Sequence, residues 1–347
     1  IDGRIVVSGA DDDDVVEVSV QRLSGNNNTD VTTDGFHYVA TELTGDDAGN
    51  YKLPENKQSE AFKVTPAQVE ITWNFMADAK ITYGDSVDAV KALVDTAALK
   101  GIIPGVTDPL TFEVSVGDYS ASTNAGTEVT FDVSYTLPEG AKANNYEITV
   151  KAAEGNNKLT VQKADITVTV SVEGKTYDGL AVTPSVTVMF GERELAASEY
   201  GTVTYTYAIK GGDTLGAAPA DASDSAYTVT ASVAESTNFN AATSAAVEFK
   251  IARKTLTQGT WSDVVGLTYN GKAAAPVFKP EGVLDGDNVS VGYTIEGDKA
   301  TGGQAINAGS YTVTAKLEGD DAGNYEFDGV VNVKEFTIAR KELTVVK

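Results

Sequence analysis

The chain repeats itself, and the repeat limits its fold more than any other feature. GDDAGNY occurs at 45–51 and again at 319–325. The match runs without a gap from Gly35 to Pro66 and from Gly309 to Arg340 at a constant offset of 274 residues, so Val39 aligns with Val313, Leu43 with Leu317 and Phe62 with Phe336. Two weaker copies lie between them, marked by Asn145-Tyr146 and Asn238-Phe239. A chain made of one unit used several times is usually a spacer or a presenting scaffold, and its fold has to be read from the unit.

Two further landmarks bound the unit. Each copy closes on an alternating segment that runs straight into the next: AFKVTPAQVEI (61–71), LTVQKADITV (159–168), EFKIARKTL (248–256) and EFTIARKEL (335–343). Complete copies then open with a tyrosine and a turn: Tyr83-Gly84-Asp85, Tyr177-Asp178-Gly179 and Tyr269-Asn270-Gly271. Asp-Gly and Asn-Gly tolerate positive φ and turn the chain sharply. These marks place repeats at 67–163, 164–252 and 253–340, a partial repeat lacking its opening strands at 1–66, and the first strand of a following repeat at 341–347. The chain is expected to be a piece of a longer protein.

Within a unit the period is two. Ile166, Val168, Val170 and Val172 alternate with polar residues, as do Val203, Tyr205, Tyr207 and Ile209, and Tyr311, Val313, Ala315 and Leu317. Such alternation marks strands with one face on a core and one in water. Several short strands per repeat, separated by Gly and Asp, predict an all-β fold of tandem Ig-like β-sandwich repeats built from two antiparallel sheets; β-grasp-like repeats are the alternative. One segment departs. DSVDAVKALVDTAALKG (85–101) spaces Val87, Val90, Leu93, Val94 and Ala97 like a helix face, with Asp85 or Ser86 as cap and Gly101 as stop. It predicts a short helix insertion near 86–100, of about three turns, as a side cover or a private ligand-binding device.

The joints between repeats are short and not Gly/Ser-rich, unlike flexible linkers, so the predicted assembly is a semi-rigid rod. A balance of 50 acidic to 26 basic residues gives a formal net charge of −24. That argues against nucleic acid and against anionic lipid, and keeps an exposed rod soluble. There is no cysteine, which excludes disulfides, thiolate zinc sites and cysteine nucleophiles. No apolar run approaches the ~18 residues that a membrane helix needs.

The order of these motifs resembles the MBG/YDG-type tandem domains of large bacterial surface proteins. The resemblance rests on the tyrosine turns at 177–179 and 269–271, GDNV at 286–289, AGSYTVTA at 308–315, GDDAGNY at 319–325 and FTIARKELTV at 336–345. It is fullest in the fourth repeat; the second departs through Tyr83-Gly84-Asp85 and its helix, and the first retains only the later half. It implies an extracellular location on a bacterial cell surface and a role as stalk or adhesive repeat. Host or matrix glycans or proteins are the implied partners.

No enzyme is legible. His37 is the only histidine, and it aligns with Tyr311 on an alternating strand, which suits packing. No Gly-rich phosphate loop is present, and carboxylate pairs are expected by chance in so acidic a chain. Candidate binding features remain. Asp46, Asp47 and Asn50 recur as Asp320, Asp321 and Asn324, beside the run Asp11–Asp14, and offer oxygens to a calcium ion. The competing reading is that Asp and Asn make turns through their own backbone hydrogen bonds. Trp73 and Trp261 follow joints and suit either sugar stacking or packing, whereas recurrence of Tyr51, Tyr146, Phe239 and Tyr325 favours packing. Lys63, Lys163 and Lys250 are candidates for isopeptide crosslinks, although alternation points them outward, and Leu53-Pro54-Glu55-Asn56 is a loop rather than a sorting signal. The unmatched strand at 341–347 and the incomplete repeat at 1–66 suggest either strands supplied by a parent chain or head-to-tail self-association by strand donation.

Overall fold

The computed structural model describes residues 8–23, 30–31, 36–99, 110–262 and 266–345. The fold is mostly β, in many small sheets, and the chain divides into two units, Ile1–Gln162 and Lys163–Lys347. Every strand pairing described joins segments of one and the same repeat interval.

In the first unit, Glu17–Leu23 pairs antiparallel with His37–Thr44, with a bulge between Ser19 and Val20. Bridges Phe36–Phe62 and Val39–Gln58 add the closing segment. The second repeat has a larger core. Thr111–Val116, Glu128–Thr136, Lys158–Gln162 and Ile81–Thr82 form one sheet, and Ile71, Trp73, Ile81, Val90, Val94, Phe131 and Val161 are buried together. Phe131 is fully buried, and burying one such side chain stabilises by about 1.5–3 kcal/mol.

The inserted helix is shorter than its sequence suggests. Ser86 caps it by accepting the Ala89 N–H, and the α-helix runs only from Val87–Lys91. Val94 then bridges to Phe75, and the Asp95 N–H donates to the Asn74 carbonyl, so tertiary pairing takes the backbone that would have continued the helix. A 3-10 turn follows at Thr96–Ala98; the expected stop at Gly101 lies outside the described residues.

In the second unit, the third repeat pairs Thr167–Ser171 with Ser185–Phe190, and Val203–Ile209 with Tyr227–Val233. Tyr227, Val229, Ala231 and Val233 all face the core, as the period of two requires. The fourth repeat sets Ser290–Glu296, Gly309–Glu318 and Val333–Ile338 in one antiparallel sheet over Tyr311, Val313, Phe336 and Ile338.

Strand pairing is mixed, not wholly antiparallel. The opening strand of a repeat pairs in parallel with the strand after its Asn-Tyr loop: Ala67–Trp73 with Tyr146–Ala152, and Lys254–Leu256 with Tyr325–Phe327. Parallel partners need a long crossover, and the body of the repeat supplies it. The expected strand at 341–347 is not formed: residues 341–345 are exposed and unpaired, and 346–347 lie outside the described residues.

Candidate functional site

The recurring element is a loop locked by an aspartate and a tyrosine. In the first repeat Gly45 holds φ +112°, and a Cβ there would lie 2.2 Å from the Val15 carbonyl oxygen. Only glycine fits such a position. Asp47 Oδ2 accepts the Val15 N–H at 2.9 Å, Ala48–Asn50 makes one 3-10 turn, and the Tyr51 hydroxyl donates to Asp14 while accepting the Asp11 N–H. The fourth repeat repeats each part. Gly319 holds φ +113°, 2.3 Å from the Asn288 oxygen by the same measure. Asp321 Oδ2 accepts the Asn288 N–H at 2.7 Å, and Asp320 accepts from the Asn288 side-chain amide at 3.1 Å. The Tyr325 hydroxyl donates to Asp287 and accepts the Leu284 N–H.

The same loops hold neighbouring repeats. Asn324, buried, accepts the Ala222 N–H at 2.8 Å and donates to Asp221 at 3.2 Å, both in the third repeat. Asn145 of the second repeat makes the same two bonds to the first: it accepts the Val31 N–H at 2.9 Å and donates to Asp30 at 2.7 Å. Lys142 adds an ion pair to Asp30.

Between the third and fourth repeats the clamp is reinforced. The Tyr177 hydroxyl donates to Asp287 at 2.9 Å, and its ring meets Tyr325 edge-on at 5.4 Å. Arg253, at the joint itself, donates to the Gly323 carbonyl and to Asp224. Burial raises the pKa of Tyr177, and the Asp287 carboxylate adds to it; the same causes push Tyr325 up to about 12.

The six residues singled out as calcium candidates therefore divide. Asp47, Asp320 and Asp321 accept hydrogen bonds that shape their own loop, Asn324 clamps the preceding repeat, and Asp46 and Asn50 are exposed. Among the described residues no three His, Asp or Glu side chains are grouped to hold a metal. Sequence reasoning did not identify Asp14 and Asp287, the acceptors of the tyrosine hydroxyls, or the partner residues Asp30, Asp221 and Arg253. Asp14 and Asp287 were findable: they lie just upstream of the gapless match, at an offset one residue shorter.

The other candidates fall as follows. His37 Nδ1 is 2.8 Å from the Ser59 carbonyl oxygen. Trp73 is buried, and Trp261 is half-buried with its indole N–H on the Val331 carbonyl. Tyr325 and Phe239 are buried, and Tyr51 and Tyr146 half-buried. Lys63 and Lys250 are exposed, and Lys163 pairs with Glu235.

No family model matches the chain, and no curated protein matches it. Among solved structures, the crystal structure of the S-layer protein rSbsC(31-844) is similar at 15% identity and a TM-score of 0.23, covering 89% of this chain and 45% of that one. The chain thus spans less than half the length of that protein, and a TM-score so low establishes no shared fold.

Proposed function

We propose that the chain is a stalk or spacer region of a bacterial cell-surface protein, made of Ig-like repeats of the MBG/YDG kind, which holds a binding domain away from the cell and performs no catalysis itself. One observation supports this most directly: Asn145 and Asn324 fasten successive repeats by the same pair of hydrogen bonds to an Asp-X dipeptide of the preceding repeat. A spacer transmits reach only if its joints keep one arrangement. Two such bonds contribute about 1–3 kcal/mol, which favours the clamped arrangement by roughly 10- to 100-fold. The acidic surface suits an exposed region that must stay soluble.

The test exploits the absence of cysteine. Spin labels on Thr204→Cys and Glu296→Cys, both exposed, report the third repeat against the fourth. A single narrow distance distribution is expected, broadened by Asn324→Ala. A broad distribution in the otherwise unaltered chain would overturn the spacer reading.

A further inference from the structure

We infer that the first repeat carries an open seat for an opening strand, and that residues Lys341–Val345 of a second copy fill it, joining copies of this chain head to tail. The precedent is inside the molecule. Opening strands pair in parallel with the segment after the Asn-Tyr loop in a fixed register: Lys254 with Tyr325, Thr255 with Glu326 and Leu256 with Phe327, and likewise Ala67 with Tyr146 and Val69 with Ile148. The corresponding segment of the first repeat, Tyr51-Lys52-Leu53, has no strand partner among the described residues. A groove of about 380 Å³ runs beside it, lined by Val18, Ala40, Leu43, Tyr51 and Leu53 among others. Gly9, at the groove, corresponds to Gly282. At Gly282 a Cβ would touch Leu256 at 3.6 Å, whereas at Gly9 nothing lies within 4 Å. The place that Leu256 occupies in the fourth repeat is open in the first.

The occupant is present in the same sequence. Arg340-Lys341-Glu342-Leu343 repeats Arg253-Lys254-Thr255-Leu256. Leu256 is 2% exposed and Leu343 is 89% exposed; Tyr177 is 5% exposed and its counterpart Tyr269 is 41%. The Tyr311 hydroxyl donates to the Asn307 carbonyl as that of Tyr227 does to Asp221, so Asn307-Ala308 stands where Asp221-Ala222 stands in the third repeat.

The contacts seen between the third and fourth repeats, carried to this pair of ends, set Leu343 on Leu53, Arg340 on the Gly49 carbonyl, Tyr269 on Asp14 and Asn50 on Asn307-Ala308. Charge favours the match. Lys299, Arg340 and Lys341 surround Tyr269 and Leu343, while the first repeat presents the run Asp11–Asp14. Such an interface is heterologous and can propagate.

The experiment is sedimentation velocity of the full chain over a wide concentration range, with Leu343→Glu and Asn50→Ala as variants. Both side chains are exposed in the single molecule, so folding is spared. Concentration-dependent association is expected, weakened roughly tenfold or more by Leu343→Glu, because a charge would enter an apolar seat. The two variants mixed should recover a heterodimer, since each retains the end the other lacks, and should form no longer species. A chain that stays monomeric at millimolar concentration, or one whose association ignores both variants, would overturn the inference. A monomer would leave the spacer reading untouched, because the spin labels report on one molecule.

Discussion

The first and fourth repeats share their later sequence without a gap, yet only their loops fold alike. Val18 faces Leu43 as Val291 faces Leu317, so the two hairpins begin in the same register. The bulge at Ser19/Val20 then shifts the first by one residue: Val20 faces Ala40, where the matching Tyr293 faces Ala315. A one-residue slip moves side chains to the opposite face of a strand. In the fourth repeat Tyr311, Val313 and Ala315 are buried; in the first, Phe36 and Ala40 are buried and Val39 is only half-buried. The closing phenylalanine follows: Phe336 is 5% exposed and Phe62 is 37%. The comparison teaches that the Gly-Asp-Tyr loop is self-contained, whereas the register of the sheet depends on the rest of the repeat.

The largest test of that contrast is glycine replacement. Gly319→Ala would force a side chain into the left-handed region and against a backbone oxygen, a cost above ~1 kcal/mol with no flexible group to yield. Gly45→Ala meets the same geometry and should lose a similar amount in urea unfolding. A tolerated Gly45→Ala beside a damaging Gly319→Ala would break the equivalence of the loops.

Removing the acceptors should separate the repeats again. Asp287→Ala strands two tyrosine hydroxyls, while Asp14→Ala strands one. Bonds to a charged partner contribute about 1.5–3 kcal/mol each, so the fourth repeat should lose about twice as much as the first. Asn324→Ala leaves the Ala222 N–H without its acceptor, for a loss of about 1–3 kcal/mol, whereas Asn50→Ala should be silent in the single molecule. A silent Asn324→Ala, measured by denaturant midpoint, would remove the clamp from the account.

Alkaline titration gives a smaller effect. Tyr177 and Tyr325 have folded-state pKa values above the usual tyrosine value of 10.0, through burial first and Asp287 second. The folded state therefore holds its phenolic protons more tightly than the unfolded chain. The stability this gives is fully present below pH 10 and is lost as pH rises towards 12 and beyond. Phenolate absorbance should show these tyrosines titrating late, and Asp287→Asn should move them earlier. Ordinary titration in the unaltered chain would remove the buried Tyr–Asp–Tyr contact from the joint.

Much of this was readable from the residues, and the failures have physical causes. GDDAGNY announced a loop because Gly, Asp and Asn serve backbone geometry locally, and Tyr227–Val233 announced a strand because its period survives burial. The helix was overextended because its apolar spacing is also what lets Val94 pair with Phe75, a contact between distant segments. The slip in the first repeat was invisible because the shared segment is the same in both places and the bulge is not written in it. The clamps were missed for a similar reason. Asn324 reads as a turn residue, and its partners Asp221 and Asp30 sit in unlike surroundings, DAS and DVT, in the preceding repeat.

The smallest expected effect concerns calcium. A ligand of the folded state raises its stability by mass action, so an ion held by the acidic loops would raise Tm with its concentration. Asp47 and Asp321 already spend an oxygen on a backbone N–H, Asp320 on the Asn288 amide, and Asp14 and Asp287 on tyrosine hydroxyls. A calcium ion asks for six to eight oxygens at once, and gathering them here would undo the contacts that shape the loop. Melts in millimolar calcium and in chelator should therefore coincide, for the whole chain and for Asp287→Asn alike. A rise in Tm with calcium that disappears in Asp46→Asn/Asp47→Asn but persists in Asp320→Asn/Asp321→Asn would place an ion on the first loop alone. The two loops would then differ in chemistry despite their shared geometry.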